Sequence, residues 1–559
     1  MFDIQGIEDL MKRSLTLLFV IALTVLVPHR VSAQPAIAAL GIRNGASYAL
    51  PGLPNSGIAQ GSIFIIFGQN LGPAKIVQVS SFPLPTSQGL AGTSIKVTVA
   101  GTTVDAIMLY TLATQVAAVL PSNTPIGIGT VTVTFNDQTS APAPITVVKS
   151  SFGTFSINQA GSGAGVLQNV NSQADRPFNG ATKAANPGQV IILWGTGIGP
   201  VAGNEAAGPL PGDMKNLNLH VFVGTTEAVV QYRGRSGCCT GIDQIVFVVP
   251  AGVEGCSVPV FVEIDNIISN FTTMAIAQSG STCSDPGLSA SVIQQATANG
   301  GIRAGSLTVG RLDGDAGKTT TQSDLLGATF VKVSLDALLH AGPIPKAGLC
   351  YVSQFPGYVP PSPSYLDAGK VSVTTPVGPY DLVSPFKGVY SLSFLPGANG
   401  VPGVIGDGTR LKAGTYTFTV TGGADVGPVT ASIDFPRSFQ WNHDAVTSVN
   451  RSQPLVITWT GGSAGALVNI LGNSSVAAGT TSDIGTAFSC FEDATKGSFT
   501  VPVSILSALP ASYTGNDAHA HGNLQVFETF YGTPFTASGI DYGTILYDDA
   551  YSKGFVPYI

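Results

Sequence analysis

A thirteen-residue segment occurs twice in the chain, and this duplication constrains the fold more than any other feature. Gly61–Pro73 returns 127 residues later as Gly188–Pro200. Five positions are identical, and the exchanges in the central run keep large apolar side chains. An apolar run that ends in glycines and a proline is typical of a strand followed by a tight turn. The repeat therefore predicts the same strand and the same turn in two tandem modules.

The parallel continues after each copy with the same landmarks in the same order. Three pairs of segments correspond: Pro83–Pro85 with Pro209–Pro211, Val97–Thr103 with Val221–Thr226, and Gln115–Pro121 with Gln244–Pro250. About seven short strands in roughly 120–130 residues are typical of an immunoglobulin-like β-sandwich. We therefore predict one sandwich over residues 34–150 and a second over residues 151–284. An insertion at Arg233–Gly241 in the second copy is predicted to be a loop between strands.

These landmarks, with the entry motif Asn44–Ser47, resemble the Solibacter uncharacterised C-terminal domain family of exported acidobacterial proteins. The resemblance covers roughly residues 38–280. It implies tandem immunoglobulin-like, IPT/TIG-like sandwiches and an export route, and it implies no reaction and no catalytic residues. Short segments in the remaining residues resemble other uncharacterised acidobacterial exported β domains.

The second half of the chain is predicted to contain one helix followed by further β-strands. Leu288–Ala298 is the best helical candidate, and alternating patterns predict strands at Phe330–Leu335, Lys370–Thr374 and Gly414–Val420. Glycine and proline pairs between them mark turns. We predict an all-β protein in which one or two sandwich domains follow the first pair, with a β-rich domain over residues 285–435 and a β-sandwich over residues 436–559.

The composition favours many short strands in an exported protein. Charged residues make up 10% of the chain, against about 25% in typical soluble proteins. Lys12 and Arg13 precede an apolar run, and Val31–Ala33 supplies small residues for cleavage, so residues 1–33 are predicted to be a signal peptide. No later run is long enough for a transmembrane segment, and a net charge of −7 argues against a nucleic-acid partner.

Six cysteines in an exported chain predict disulfides. Cys256 and Cys283 flank one predicted strand region and are a reasonable pair, and Cys350 and Cys490 are another candidate pair. Cys238 and Cys239 are adjacent; a vicinal ring between them is strained, which favours pairing with other cysteines. The spacing does not choose among these alternatives.

Three segments contain residue types that carry chemistry elsewhere. Asp517, His519 and His521 alternate, so on a strand they face one side and are candidate ligands for zinc or calcium. Two aspartates in Arg311–Thr319 are weaker calcium candidates because a distal glutamate is missing. Gly461–Gly465 matches the nucleophile-elbow pattern but joins two predicted strands, which favours a hairpin turn. No catalytic residue and no cofactor is predicted.

Three functions remain open after these exclusions, and the third of them is a metal-dependent adhesion module that uses Asp517–His521. The leading hypothesis is a non-enzymatic array at the cell surface, outside the cell or in the periplasm, with an adhesion, matrix or interaction role and an extracellular protein or polysaccharide as partner. The rival is a carbohydrate-binding or polysaccharide-active protein with its ligand site in residues 285–559. Exposed aromatic rings would stack on sugars there, with candidates at Tyr351, Tyr358, Tyr365, Trp441 and Tyr531, and paired carboxylates would come from Asp367, Asp425 or Asp541.

Overall fold

The computed structural model describes residues 33–559 apart from residues 287, 316–319, 341–344, 399, 408, 477–483 and 513–521. The predicted signal peptide lies outside the described residues except for its last position. Within the described part the chain is nearly all β, which confirms the predicted fold class. The strands pack into three units, which we call unit one (residues 36–148), unit two (residues 153–276) and unit three (residues 290–553).

Unit one is a sandwich of two sheets with an apolar core between them. Its larger strands alternate buried and exposed positions, as in β5, because successive side chains point to opposite faces. One sheet has the order β1-β3-β8-β7-β4 and the other β2-β11-β9-β5-β6, with β10 paired to β9. The strands are β1 Ala36–Asn44, β2 Ile58–Ala59, β3 Ile63–Gln69, β4 Val77–Gln78, β5 Thr93–Val99, β6 Thr102–Asp105, β7 Ile107–Leu112, β8 Gln115–Val119, β9 Gly127–Phe135, β10 Gln138–Thr139 and β11 Ala143–Val148.

Unit two repeats this plan with one difference. Strand β17 is long enough to pair with β16 at one end and with β18 at the other, so all ten strands form one continuous sheet that folds over its core. The strands are β12 Gly153–Thr154, β13 Leu167–Asn169, β14 Val190–Thr196, β15 Gly212–Asp213, β16 Leu219–Val223, β17 Thr226–Arg235, β18 Asp243–Val248, β19 Gly255–Ile264, β20 Ile267–Ile268 and β21 Thr272–Ile276.

The duplicated segment builds the same strand in both units. Its two copies form β3 and β14, which pair antiparallel with β8 and β18, the strands of the third pair of matched segments. The predicted insertion is shorter than expected, because Arg233, Gly234 and Arg235 continue β17 and only residues 236–242 form the loop.

Unit three begins with a helix, as predicted. The Ser289 side chain accepts a hydrogen bond from the backbone N–H of Val292 and caps this helix. The elements are α1 Ala290–Ala298, β22 Ile302–Asp315, β23 Thr320–Val333, α2 Leu335–His340, β24 Cys350–Phe355, β25 Ser364–Tyr365, β26 Val371–Thr375, β27 Gly378–Asp381, β28 Val383–Phe386, β29 Val389–Phe394, β30 Val404–Ile405, β31 Gly414–Val420, β32 Val429–Phe435, β33 Gln440–Trp441, β34 Leu455–Thr460, β35 Leu467–Val476, β36 Ile484–Asp493, β37 Ser498–Val501, α3 Val503–Ser507, β38 Asn523–Tyr531 and β39 Tyr542–Lys553, with 3₁₀ turns at His443–Ala445 and Ala494–Lys496.

One eleven-stranded sheet forms the base of unit three, and its main path runs β24-β36-β35-β38-β39-β22-β23-β29-β28. Two smaller sheets cover it, β27-β26-β31-β32 over one core and β33-β34-β37 over a second. Strands β22 and β23 come from before residue 435 and β39 from after it, yet β22 and β39 pair in parallel. The predicted boundary at residue 435 therefore falls between two covering sheets that share one base.

Two disulfides are present, and both match predicted pairs. Cys256 is bonded to Cys283, and Cys350 is bonded to Cys490. Cys350 and Cys490 lie opposite each other in the antiparallel pairing of β24 with β36, so the sheet itself brings the two sulfur atoms together. Cys238 and Cys239 keep free thiols.

Candidate ligand-binding cleft

A cleft of about 470 Å³ lies where the three units meet. This volume is in the usual range of small-molecule sites. Leu53 and Asn55 come from unit one; Gly161, Ser162, Gly163, Pro259, Ser269, Asn270, Phe271, Thr272 and Thr273 come from unit two; Leu339, Tyr351, Val352, Ser353, Gln354, Gly357, Tyr358, Pro360, Thr486 and Ala508 come from unit three. Ser162, Ser353 and Gln354 give it polar atoms beside apolar and aromatic surface.

Strand β24 carries the aromatic side of the cleft. Alternation along this strand buries Val352 and leaves Tyr351 and Ser353 on the other face. The ring of Tyr351 stacks on Phe491 of β36, with centroids 6.4 Å apart and an interplanar angle of 17°. Tyr358 follows in the segment after β24 and is half-buried. The cleft therefore holds two tyrosines, one of them backed by a second aromatic ring.

Asn270 fixes the unit-two side of the cleft. Its Oδ1 accepts a hydrogen bond of 2.8 Å from the Thr154 backbone, and its Nδ2 donates to the carbonyls of Thr154 and Gly161 at 3.0 and 2.8 Å. On the opposite side, Gln354 Nε2 lies 3.4 Å from the Tyr48 carbonyl of unit one. The Asn270 bonds order the unit-two wall, and the Gln354 contact joins the unit-three wall to unit one.

The lining of this cleft is uncharged: among the described residues that line it, there is no Asp, Glu, Lys, Arg or His. Burying an ionic ligand without a counter-charge is costly. The arrangement therefore fits a neutral ligand with a flat or ring-shaped apolar face and several hydroxyl groups.

The nucleophile-elbow pattern lies in a turn between two strands, β34 and β35, and no helix follows it. The predicted hairpin is wrong, because β34 belongs to a covering sheet and β35 to the base sheet, so the turn connects two sheets. The Ser463 backbone N–H donates to Oε1 of Glu528 at 2.5 Å, and the Tyr547 hydroxyl lies 3.0 Å from Ser463 Oγ and 3.1 Å from Glu528 Oε2. Burial raises the pKa of Glu528. The three groups satisfy one another and hold the turn against the base sheet.

The predicted metal and carboxylate residues do not form a site in the described part of the chain. Asp517, His519 and His521 lie outside the described residues, and no group of three His, Cys, Asp or Glu side chains converges among those that are described. Asp541 pairs with Arg303 at 2.7 Å, and the Oδ2 of Asp425 accepts from the backbone N–H of Asp367. These carboxylates are occupied by local contacts.

The other predicted aromatic residues have different surroundings. Trp441 is buried in one core of unit three, where it cannot reach a ligand. Tyr365 packs edge-on against Phe386 with ring centroids 5.0 Å apart. Tyr531 is 44% exposed and lines a separate open cleft. Only Tyr351 and Tyr358 share one enclosed space.

The polar residues of the cleft were missed by sequence reasoning. Asn55, Asn270 and Gln354 come from three units and stand in no recognisable motif. Their proximity depends on how the units pack, and a single sequence contains no local signal for that.

No protein-family model and no curated protein gives a significant match to this sequence. A structure of the mixed-linkage glucan utilisation locus protein SGBP-B of Bacteroides ovatus, in complex with a mixed-linkage heptasaccharide, is 12% identical with a TM-score of 0.19, over 39% of this chain and 45% of that one. The chain thus spans less than half of that protein.

Two further likenesses have similarly low values. Domains 5–6 of the S-layer protein SbsC are 10% identical with a TM-score of 0.17, over 44% of this chain and 99% of that one. Immunoglobulin domains 1–4 of Sidekick-1 are 11% identical with a TM-score of 0.12, over 92% and 99% of the two chains. At these scores the likenesses carry no argument about ligand or role. Separately, none of the helices described here has the length and apolar character needed to span a membrane.

Proposed function

We propose that the protein is an exported, non-enzymatic interaction protein that binds a neutral polysaccharide in the cleft between its three units. The observation that carries this proposal is that Tyr351 and Tyr358 line the same cleft, whose other polar side chains are uncharged. The role that follows is adhesion to a surface or matrix that contains such a glycan. The aromatic side belongs to residues 285–559, and the facing walls come from units one and two.

A neutral sugar ring matches this lining chemically. Its C–H face packs on an aromatic ring, and its hydroxyls both donate and accept hydrogen bonds. Ser353 is exposed, and the Oε1 of Gln354 has no hydrogen bond within the described part of the chain, so acceptors and donors are available beside the ring of Tyr351. Uronic acids or sulfated sugars would bring charges that nothing in this lining offsets.

Three features support export. Residues 1–33 have the composition of a signal peptide, and we propose cleavage after Ala33. The bonded pairs Cys256–Cys283 and Cys350–Cys490 are typical of proteins that fold in an oxidising compartment. The resemblance of residues 38–280 to the Solibacter family also supports this route, and we propose membership of that family.

The test is a binding measurement with soluble neutral and charged glycans. The mature chain from residue 34 is titrated with cello-, xylo-, manno- and mixed-linkage glucan hexaoses, and with hexa-galacturonate, in an isothermal calorimeter. We expect at least one neutral hexaose to bind and the charged one not to bind. Tyr351→Leu and Tyr358→Ala should each weaken the binding about tenfold, since loss of a stacking contact costs about 1–1.5 kcal/mol.

Tyr365→Ala is the matched control, because this tyrosine is also partly exposed and packs edge-on against a phenylalanine outside the cleft. The Tyr365→Ala chain should bind the neutral hexaose with the same affinity as the unaltered chain. Equal weakening by all three substitutions would place the site elsewhere. If none of the glycans bound, the carbohydrate proposal would be wrong, and an extracellular protein would be the better partner.

A further inference from the structure

Two thiols remain in a chain whose other four cysteines are bonded. The partners that the sequence favoured for Cys238 and Cys239 are taken, because Cys256 is bonded to Cys283 and Cys350 to Cys490. Cys238 is exposed and Cys239 is partly buried. The two residues are consecutive in the sequence, and the Ser236 hydroxyl lies 3.4 Å from the sulfur of Cys238. Within this chain, each is therefore the other's nearest available partner.

The loop that carries these thiols is fixed at its base. The guanidinium of Arg235 forms a buried ion pair with Asp243, and the backbone N–H of Ser236 donates to the Ile242 carbonyl at 3.0 Å. Ser236 Oγ reaches the Cys239 carbonyl at 3.2 Å. The two cysteines thus lie on a short loop whose two ends are joined by an ion pair and a hydrogen bond.

The far side of the same loop holds unit one against unit two. The Gly241 carbonyl accepts a hydrogen bond of 2.6 Å from Thr196 Oγ1, and that hydroxyl accepts one of 2.8 Å from the Ile63 backbone of unit one. The Thr240 hydroxyl donates to the Glu205 carbonyl, and the Glu205 side chain accepts from the Ser122 backbone of unit one. A covalent change in the loop would therefore act on this joint.

We propose that Cys238 and Cys239 are a modification site at which an exogenous disulfide forms a vicinal disulfide ring that locks the joint between units one and two. The thiolate of exposed Cys238 attacks the donor disulfide, which forms a mixed disulfide and releases one donor thiolate. The Cys239 thiolate then attacks the sulfur of Cys238, which closes the ring and releases the second donor thiolate. Two electrons pass to the donor, and two protons leave the cysteines.

The order of the two attacks follows from the surroundings of the thiols. Burial and the contact with Cys238 raise the pKa of Cys239 to about 11, so this thiol is protonated at neutral pH and is a slow first nucleophile. Its position next to Cys238 in the sequence makes the second step intramolecular, which favours it. The proposal rests on the proposed export for its biological setting, whereas the chemistry is tested on purified protein.

The experiment treats the folded mature chain with mixtures of reduced and oxidised glutathione and then blocks free thiols with iodoacetamide. Digestion without reduction is followed by mass spectrometry. We expect the peptide that spans residues 238–239 to be unblocked and about 2 Da lighter after oxidation, and doubly blocked after reduction. The four bonded cysteines are buried and should stay bonded under native reduction. Backbone hydrogen exchange at Ile63 should slow in the oxidised protein.

Cys238→Ser and Cys239→Ser separate the steps. The Cys239→Ser chain should stop at a glutathione adduct on Cys238, and the Cys238→Ser chain should react much more slowly. Two blocked thiols under oxidising conditions, a persistent glutathione adduct on the unaltered chain, or a covalent dimer would each overturn the ring. A ring without slower exchange at Ile63 would overturn the locking of the joint.

Discussion

The guanidinium of Arg311 lies 2.6 Å from the carboxylate of Asp549, and the two residues are direct partners in the parallel pairing of β22 with β39. Both side chains are buried. The pair belongs to a network of ion pairs that also includes the buried Asp324 and the partly buried Asp313 and Arg410. It joins the beginning and the end of the unit across 238 residues of chain.

Removal of Asp549 should destabilise unit three strongly. Asp549→Ala leaves Arg311 buried with one fewer carboxylate, and breaking a buried pair costs about 3–5 kcal/mol. Urea unfolding is followed by the fluorescence of Trp441 and Trp459 in a Trp194→Phe background, so that only unit three is observed. Lys387→Ala, which removes an exposed ion pair with Asp425, is the control and should change the midpoint little. A similar shift in both variants would contradict a special role for the buried pair.

The free energy of unfolding should fall as the pH rises from about 4 to about 6, because of Asp285, which lies just after the last strand of unit two. Burial raises the pKa of Asp285 to about 6, although its carboxylate accepts a hydrogen bond of 2.8 Å from the Cys256 backbone. The folded state therefore holds this proton more tightly than the unfolded state, whose pKa is about 4. Stability from this group is complete below about pH 4 and is lost as the pH rises through about 6.

Asp285→Asn tests this pH dependence, because an amide does not titrate. We expect the unaltered chain to lose about 1–2 kcal/mol across that range, after allowance for partial solvent contact, and the variant to lose correspondingly less. Midpoints of urea unfolding at half-unit pH steps give the comparison. Asp137→Asn, at an exposed turn, should leave the slope unchanged; a slope that survives in Asp285→Asn would assign it to other groups.

The sequence predicted those parts of the fold that depend on local pattern. The duplicated apolar run and its glycines identified β3 and β14 as equivalent strands, and the helical candidate Leu288–Ala298 contains α1. In unit three, the same alternation identified strands but not their partners. The parallel pairing of β22 with β39 joins residues more than two hundred positions apart, and no short-range signal encodes it.

The candidate cleft shows the same limit at the level of single side chains. Tyr351 and Tyr358 were recognisable as aromatic candidates because their type is suited to stacking. Asn55 and Asn270 were not, because an asparagine in a loop is ordinarily a turn residue. Their part in the site arises only from the packing of three units, which one sequence does not reveal.

The two disulfides should differ in how much they stabilise the chain. They close loops of 140 residues for Cys350–Cys490 and 27 residues for Cys256–Cys283. Loop-closure entropy then gives about 5 and about 3.5 kcal/mol. The double substitutions Cys350→Ala with Cys490→Ala and Cys256→Ala with Cys283→Ala are compared by thermal unfolding. The first should lose more stability; an equal or reversed order would show that packing around the sulfurs outweighs the chain entropy.

Gly241→Ala should weaken the joint between units one and two. This glycine has a φ of +78°, and a Cβ there would lie 2.7 Å from Cγ2 of Val119 and 2.8 Å from Cγ1 of Ile63. Gly252 has nearly the same backbone, with a φ of +77°, and a Cβ there would meet nothing within 4 Å. Gly252→Ala should therefore cost only the backbone strain of about 1–2 kcal/mol.

The contact with unit one should add about 1–3 kcal/mol to the loss in Gly241→Ala. Hydrogen exchange locates this extra loss: it should accelerate at Ile63 and its neighbours in Gly241→Ala and stay unchanged there in Gly252→Ala. Equal losses in the two variants, with no change at Ile63, would mean that unit one yields to the added methyl group and that the joint is looser than the contact distances require.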